Sequence, residues 1–305
     1  MAEAIIHTEG LIKDYGRFRA LSGVDLSIER GEVFGFLGPN GSGKSTTIRV
    51  LLNLLKPTAG VARVFGQIPS EAGGALRSRI GYLPGELAMA GRRTAGDLLG
   101  YFAHLRGGAG RDRIEPLAER FGLQLDKPIR GLSKGNKQKV GVVQAFMHSP
   151  ELLILDEPTS GLDPLLQREF LDLVKEARDG GATVFMSSHV LREVEAVADR
   201  VAIIRAGKVV DVDHISVMRH NAGQAVELQF EGPVAVEDFV GLPGVHDVTV
   251  EGSTMSCLLR GEPDALLKAA ARHRVLRWRA EDREIDALFL DLYREDGAAP
   301  QKGGS

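Results

Sequence analysis

The sequence holds a single cysteine, Cys257. That excludes an internal disulfide and a cysteine-based zinc site, and it fits a reducing compartment. Long apolar runs are also missing. The longest, such as 152–155, have the length of a core strand, far short of the ~20 residues that cross a bilayer. Work at a membrane therefore requires a second chain to do the spanning. There is no basic surplus: 38 Lys and Arg face 41 Asp and Glu, a formal net charge of -3. That is not the electrostatic footprint of a nucleic-acid binder. The opening Met1-Ala2-Glu3-Ala4 lacks the basic-then-apolar pattern of a signal peptide. What is present is ordinary core material: 305 residues, 43% of them hydrophobic, suffice for one large or two moderate domains.

One stretch organises the rest. Gly38-Pro39-Asn40-Gly41-Ser42-Gly43-Lys44-Ser45-Thr46 carries the phosphate-loop pattern G-x-x-x-x-G-K-[ST]. The apolar run 33–37 before it reads as a buried strand and 45–55 after it as a helix, the context the pattern needs. Glycines let backbone N–H groups turn inward toward an anion, and the new helix adds unpaired N–H groups and the positive end of its dipole. Lys44 can reach the β- and γ-phosphates of a nucleotide, and the Ser45 hydroxyl can ligate Mg²⁺. The bland alternative is a Gly-rich turn with a chance Lys-Ser; the whole pattern in its proper context argues against it.

Strands are expected at 5–12 and 24–28, with Tyr15-Gly16 as a loop between them. Pro57 ends the phosphate-loop helix and Gly60 suits a turn before a strand at 61–65. A short strand at 80–84 leaves through a Pro-Gly loop. Helices at 94–106, capped by Thr94 with Asp97 three residues on, at 111–121 and at 134–148 make 85–149 a mostly helical insertion. Strands return at 152–156, 183–187 and 201–204, with helices at 164–179 and 190–198. Apolar strands alternating with helices mean a parallel sheet covered on both faces. Beyond Gly207, strands at 225–230, 247–251, 255–260 and 275–279 alternate with helices at 234–240 and 263–273. That order, βαββαβ, suits a small ferredoxin-like sandwich. A last helix at 283–293 carries Ile285, Leu288, Phe289 and Leu292 on one face, and the tail from Gly297 reads as disordered. The fold expected is α/β: a P-loop NTPase core over 1–215 with a helical subdomain at about 85–149, an α+β accessory domain over 216–296, and a tail over 297–305.

The second half of the site lies further on. Leu152-Leu153-Ile154-Leu155-Asp156-Glu157 is an apolar strand ending in two acids, delivered where open α/β sheets bind ligands. Asp156 can hold Mg²⁺, directly or through water, and Glu157 is placed to polarise the attacking water. Leu132-Ser133-Lys134-Gly135-Asn136 opens a helix. At this point the chain resembles the ATP-binding subunit of an ABC transporter, whose signature LSGGQ is LSKGN here. Ser160-Gly161-Leu162-Asp163-Pro164 matches the family D-loop. His189 matches the switch histidine, and Tyr15 falls where the family places an aromatic that stacks on adenine. The motifs run in the family's order from about 5 to 210.

This resemblance implies ATP held between two ATPase domains arranged head to tail. The phosphate loop of one faces Ser133, the Gly135 N–H and the positive helix N-terminus of the other. It implies Lys44, Glu157 and His189 as catalytic groups and ATP with Mg²⁺ as ligands. It also implies a homodimer or homologous ATPase partner, a separate integral-membrane permease, and a peripheral position on the cytoplasmic face of the membrane.

The copy departs from the family in places. Gly85 stands where Gln is usual, with Glu86 next; either Glu86 substitutes through a shifted loop, or the loop is purely mechanical. Lys134 replaces a signature glycine and Asn136 replaces Gln, while Gly135 is kept where close backbone approach matters. Lys134 either adds positive charge near ATP or faces solvent. The variants YLPGE and LSKGN, with Ile285-Asp286-Ala287-Leu288-Phe289-Leu290 near the end, resemble ATPases of ABC-2 type exporters, including the daunorubicin-resistance group. That implies efflux of a hydrophobic drug, antibiotic or lipid-like compound. The alternative is a soluble, non-transport ABC ATPase with a regulatory role. Ribosome-acting members usually carry two ATPase units per chain and DNA-repair members insert long coiled coils; neither pattern is present.

Overall fold

The computed structural model of the protein describes residues 4–87 and 91–282. The chain falls into two compact units, Met1–Asp213 and His214–Ser305. The helix and tail expected at 283–305 lie outside the described residues.

The first unit opens with an antiparallel hairpin of β1 (Ala4–Tyr15) and β2 (Phe18–Glu29). Both strands outrun the expected 5–12 and 24–28, because the ladder continues through polar residues that side-chain patterning reads as loop. Next, β3 (Val33–Leu37) is buried along its whole length and runs through the phosphate loop into α1 (Lys44–Leu51). The chain returns beside β1 as β4 (Ala59–Val64). Gly60 is not a turn residue but lies inside β4 with φ 80°. A Cβ there would collide with the Gly10 carbonyl, at the point where β1 bulges between Glu9 and Ile12; only glycine permits that backbone contact. Then come α2 (Gly73–Ser78), which its Gly-rich sequence does not announce, and β5 (Ile80–Leu83).

Three helices follow: α3 (Ala95–Leu105), α4 (Ile114–Arg120) and α5 (Lys134–Phe146). The capping box of Thr94 and Asp97 on α3 is complete. Pro116 sits in the first turn of α4, where a missing N–H costs nothing. The unit closes with β6 (Leu152–Asp156), α6 (Pro164–Asp179), β7 (Thr183–Ser188), α7 (Leu191–Glu195), β8 (Arg200–Arg205) and β9 (Lys208–His214). The main sheet runs β5-β6-β7-β3-β8-β9, with β5 to β8 paired in parallel; a separate antiparallel sheet runs β2-β1-β4. One apolar core joins both sheets, including Ile6, Phe34, Phe36, Ile48, Ile154 and Phe185. The register pairs Leu37 with Ser188 and Asp156 with Ser187. The C-terminal ends of β3, β6 and β7 therefore lie at one edge, each carrying a piece of the site.

The second unit comprises α8 (Ile215–Ala222), β10 (Gln224–Phe230), β11 (Val245–Glu251), β12 (Thr254–Leu259), α9 (Asp264–Ala270) and β13 (Val275–Asp282). Its strands pair antiparallel in the order β11-β12-β10-β13. The helix expected at 234–240 is instead a single 3₁₀ turn, Val236–Asp238. The stretch between Pro233 and Gly241 is too short to repay helix nucleation. Phe239 still reaches the core, its ring 5.7 Å from that of Phe230. Cys257 is buried there, which pushes its thiol up to about 11 and makes it unreactive at neutral pH.

Candidate active site

The phosphate loop is held by its neighbours on all sides. The Gly38 N–H donates to the Ser188 carbonyl at 3.3 Å. A Cβ at Gly38 would strike the Ile204 carbonyl, so the loop can pack against β8 only as glycine. Gly41 and Gly43 take φ of 81° and 115°, which other residues rarely adopt. With Gly43 as N-cap and no side-chain cap, α1 presents first-turn N–H groups to whatever the loop encloses.

Lys44 is only 5% exposed. Its ammonium donates to the carbonyls of Gly38 at 2.6 Å and Pro39 at 3.3 Å, and pairs with Glu157 Oε1 at 3.1 Å. The other Glu157 oxygen, Oε2, lies 2.6 Å from His189 Nδ1. Glu157 adopts φ 47°, a left-handed conformation of the kind that costs a residue with a side chain of order 1–3 kcal/mol and clusters at functional sites. Its N–H donates to both the carbonyl and the hydroxyl of Ser187, each at 3.2 Å. That same hydroxyl donates to Asp156 Oδ1 at 2.6 Å. Thus Lys44, Glu157 and His189 touch directly, and Asp156 joins through Ser187. Asp156 is 4% exposed, and among the described residues its Oδ2 accepts no hydrogen bond.

A cavity of about 230 Å³ opens over the loop, lined by Tyr15, Phe18, Asn40, Lys44, Ser45, Thr46 and Glu157 among others. Tyr15 is half-exposed, with the Lys13 ammonium 5.4 Å from its ring centroid. Sequence reasoning missed Phe18. The hairpin pairs it with Tyr15 across the Gly16-Arg17 turn, and an aromatic three residues after Tyr15 was the available signal. Arg19 grips Asp14 beside that turn through bonds of 2.8 and 3.1 Å, and this hydrogen bonding holds the Asp14 carboxyl below the usual carboxylate range.

The signature residues are ordered but lie elsewhere. Leu132 is buried, and Ser133 caps α5 by accepting the Asn136 N–H at 3.3 Å. The Lys134 ammonium donates to Ser160 Oγ at 3.2 Å, so within this chain it bridges to the D-loop. A Cβ at Gly135 would sit 2.7 Å from the Gly161 carbonyl. Asp163 caps α6, accepting the N–H groups of Leu165 and Leu166 at 3.1 and 3.0 Å. Neither residues 132–136 nor Asp163 line the cavity over the phosphate loop. Glu86 is exposed and makes no hydrogen bond or ion pair among the described residues. It is Gly85 that approaches Asp156: a Cβ there would be 3.3 Å from the Asp156 carbonyl and 3.4 Å from Oδ2.

A phosphate loop at the end of a central parallel strand, with an acid pair two strands away, defines a P-loop nucleoside triphosphatase. The ABC transporter family profile matches residues 21–160. The chain is 35% identical over 257 residues to the bacitracin transport ATP-binding protein BcrA of Enterococcus faecalis, covering 83% of each. It is 40% identical over 215 residues to the daunorubicin resistance ATP-binding protein DrrA3 of Streptomyces coeruleorubidus, covering 69% of this chain and 68% of that one. A solved structure of the ATP-binding subunit of an ABC transporter superposes with a TM-score of 0.66 at 30% identity, covering 70% of this chain and 92% of the other. The chain belongs to the ATP-binding subunits of ABC transporters, and its mixed α/β fold is that of their ATPase domain.

Proposed function

We propose that this ABC ATPase powers export of a hydrophobic drug, antibiotic or lipid-like compound through a separate membrane subunit, working as a dimer on the cytoplasmic face of the membrane. The observation that carries the reading is the contact series Lys44–Glu157–His189 at the mouth of the phosphate loop. Lys44 neutralises the phosphates, its carbonyl partners being exchangeable for phosphate oxygens. Glu157 takes the proton of the attacking water, and His189 holds the carboxylate in line for it. Tyr15 and Phe18 flank the base. Asp156 Oδ2 and the Ser45 hydroxyl are hard oxygen donors, the set that suits magnesium. Among the described residues no group of three or more His, Cys, Asp or Glu is arranged to hold a metal ion, so phosphate oxygens and water would complete the ion's shell. Bound there, magnesium supplies neutralisation of phosphate charge.

Separation of residues 132–136 from the cavity supports a second copy, whose Ser133 and Gly135 N–H close the site. Among the described residues no helix is long and apolar enough to cross a membrane, which supports a separate permease. Its docking surface is the apolar groove of about 430 Å³ lined by Leu52, Leu54, Tyr82, Pro84, Leu87 and Phe102 among others. The groove borders the Gly85 loop. Tyr82 on its wall also feels the site: burial, with the Asp156 charge adding, pushes its hydroxyl up to about 12. The test is purification of the full chain from detergent-solubilised membranes. A stoichiometric multi-span partner is expected; recovery with ribosomes or nucleic acid instead would overturn the transport reading in favour of a soluble regulatory ATPase.

A further inference from the structure

One more carboxylate converges on the site without lining it. Glu193 on α7 accepts the Thr159 hydroxyl on Oε1 at 2.6 Å and the Ser188 hydroxyl on Oε2 at 2.9 Å. Thr159 and Ser188 are 5% and 0% exposed. Thr159 lies between Glu157 and the D-loop; Ser188 immediately precedes His189. The Ser188 oxygen also accepts the Val190 N–H at 2.9 Å, so the backbone is tied on both sides of His189. From the signature helix, buried Gln138 donates to the Pro158 carbonyl at 2.6 Å. The segment 157–160 is therefore gripped from two helices, and Glu193 grips the histidine loop as well.

We infer that Glu193 is a positioning residue that sets the spacing between Glu157 and His189. Hydrogen bonds to an ionised acceptor are about twice as strong as neutral ones, and the two oxygens of one carboxylate are at a fixed separation. Taking one hydroxyl from each loop makes the loops a single rigid piece. A displacement of the D-loop, which carries Asp163, then reaches His189 through Thr159, Glu193 and Ser188. Glu193 does not line the cavity, so its effect passes through the two hydroxyls. The inference rests on the roles given above to Glu157 and His189.

The experiment is steady-state ATP turnover of the full chain carrying Glu193→Ala, Glu193→Gln, or Thr159→Val with Ser188→Ala. Glu193→Ala is expected to lower kcat by about 10- to 100-fold, the scale of a small misplacement of catalytic groups, with KM for ATP within about threefold. Glu193→Gln recovers most of the loss, because its amide still accepts one hydroxyl proton and donates to the other oxygen. Removing both hydroxyls reproduces the loss, and adding Glu193→Ala to that pair costs nothing further. Additive losses, a raised KM with kcat retained, or a fall in kcat that vanishes when rates are expressed per folded, nucleotide-binding site overturns the inference. Glu157→Gln separates the two readings. If that variant turns over normally, the assignment of the site fails; if it is dead while Glu193→Ala is fully active, only the bracket fails.

Discussion

Glu157→Gln removes one charge at nearly constant shape, and its consequences divide by ligand state. The carboxylate lies 3.1 Å from the Lys44 ammonium, in surroundings where the two side chains are 5% and 20% exposed. At an effective dielectric near 20 such a pair attracts by roughly 5 kcal/mol before desolvation is counted. Lys44 keeps its carbonyl acceptors at 2.6 and 3.3 Å, and Gln keeps a neutral oxygen, so the net loss without nucleotide is about 1–3 kcal/mol. For a unit of this size that lowers the melting temperature by roughly 2–4 °C per kcal/mol. With ATP present the phosphates take over as counter-charge to Lys44, and repulsion between Glu157 and the γ-phosphate is gone. The deficit should then close, and ATP should bind about tenfold tighter, or 1.4 kcal/mol. With the proposed base removed, turnover should fall by about 10²–10⁴-fold. Coupled-enzyme turnover, nucleotide titration, and thermal unfolding with and without ATP read the three effects separately. Turnover within tenfold of the parent chain, or weaker ATP binding, would refute the assignment of Glu157 as base and counter-ion.

Other perturbations probe other parts of the molecule. Tyr15→Ala and Phe18→Ala should each weaken ATP binding by about 1–3 kcal/mol, the scale of base stacking; a fluorescent-nucleotide titration unmoved by Phe18→Ala would remove it from the base site. Glu86→Ala should leave ATPase turnover within about twofold, since Glu86 is exposed and bonds nothing among the described residues; a larger loss would establish it as the substitute for the usual Gln. His148 bonds the Ile80 carbonyl at 3.3 Å, and burial, with the Arg106 charge second, holds its imidazole down to about 4 from an ordinary 6.5. The unfolded chain takes up this proton first, so the contribution to stability is present above about 6.5 and is lost as pH falls toward 4. His148→Gln should flatten that acid limb in chemical-denaturation curves, and an unaltered slope would show that the ring does not titrate this way.

The legible parts were those written locally. The phosphate loop, the acid pair at the end of β6 and the cap at Thr94 are each encoded within a few consecutive residues, and the buried parallel strands announce themselves as unbroken apolar runs. What escaped depends on partners far away in sequence. Phe18 becomes part of the mouth only through the hairpin register. Gly60 reads as a turn until the backbone of Gly10 is seen against it. Glu193 looks like one more acid on a short helix, and nothing nearby hints that Thr159 and Ser188 converge on it. The exposed alternation of β9 and the short 3₁₀ turn at Val236–Asp238 carry too little periodicity to be recognised without their neighbours.

Ser187 and Ser188 are consecutive on β7, so the pleat sends their hydroxyls to opposite faces. One reads Asp156 and the other Glu193. The strand thus acts as a two-sided gauge, calibrating the Asp156 side and the histidine side from a single position along its axis. Inserting or deleting one residue within Thr183–Ser188 would exchange the faces and miscalibrate both sides in the same event. Changes of length are better absorbed upstream, at the solvent-facing Gly180-Gly181, where slack in the connection leaves the gauge untouched.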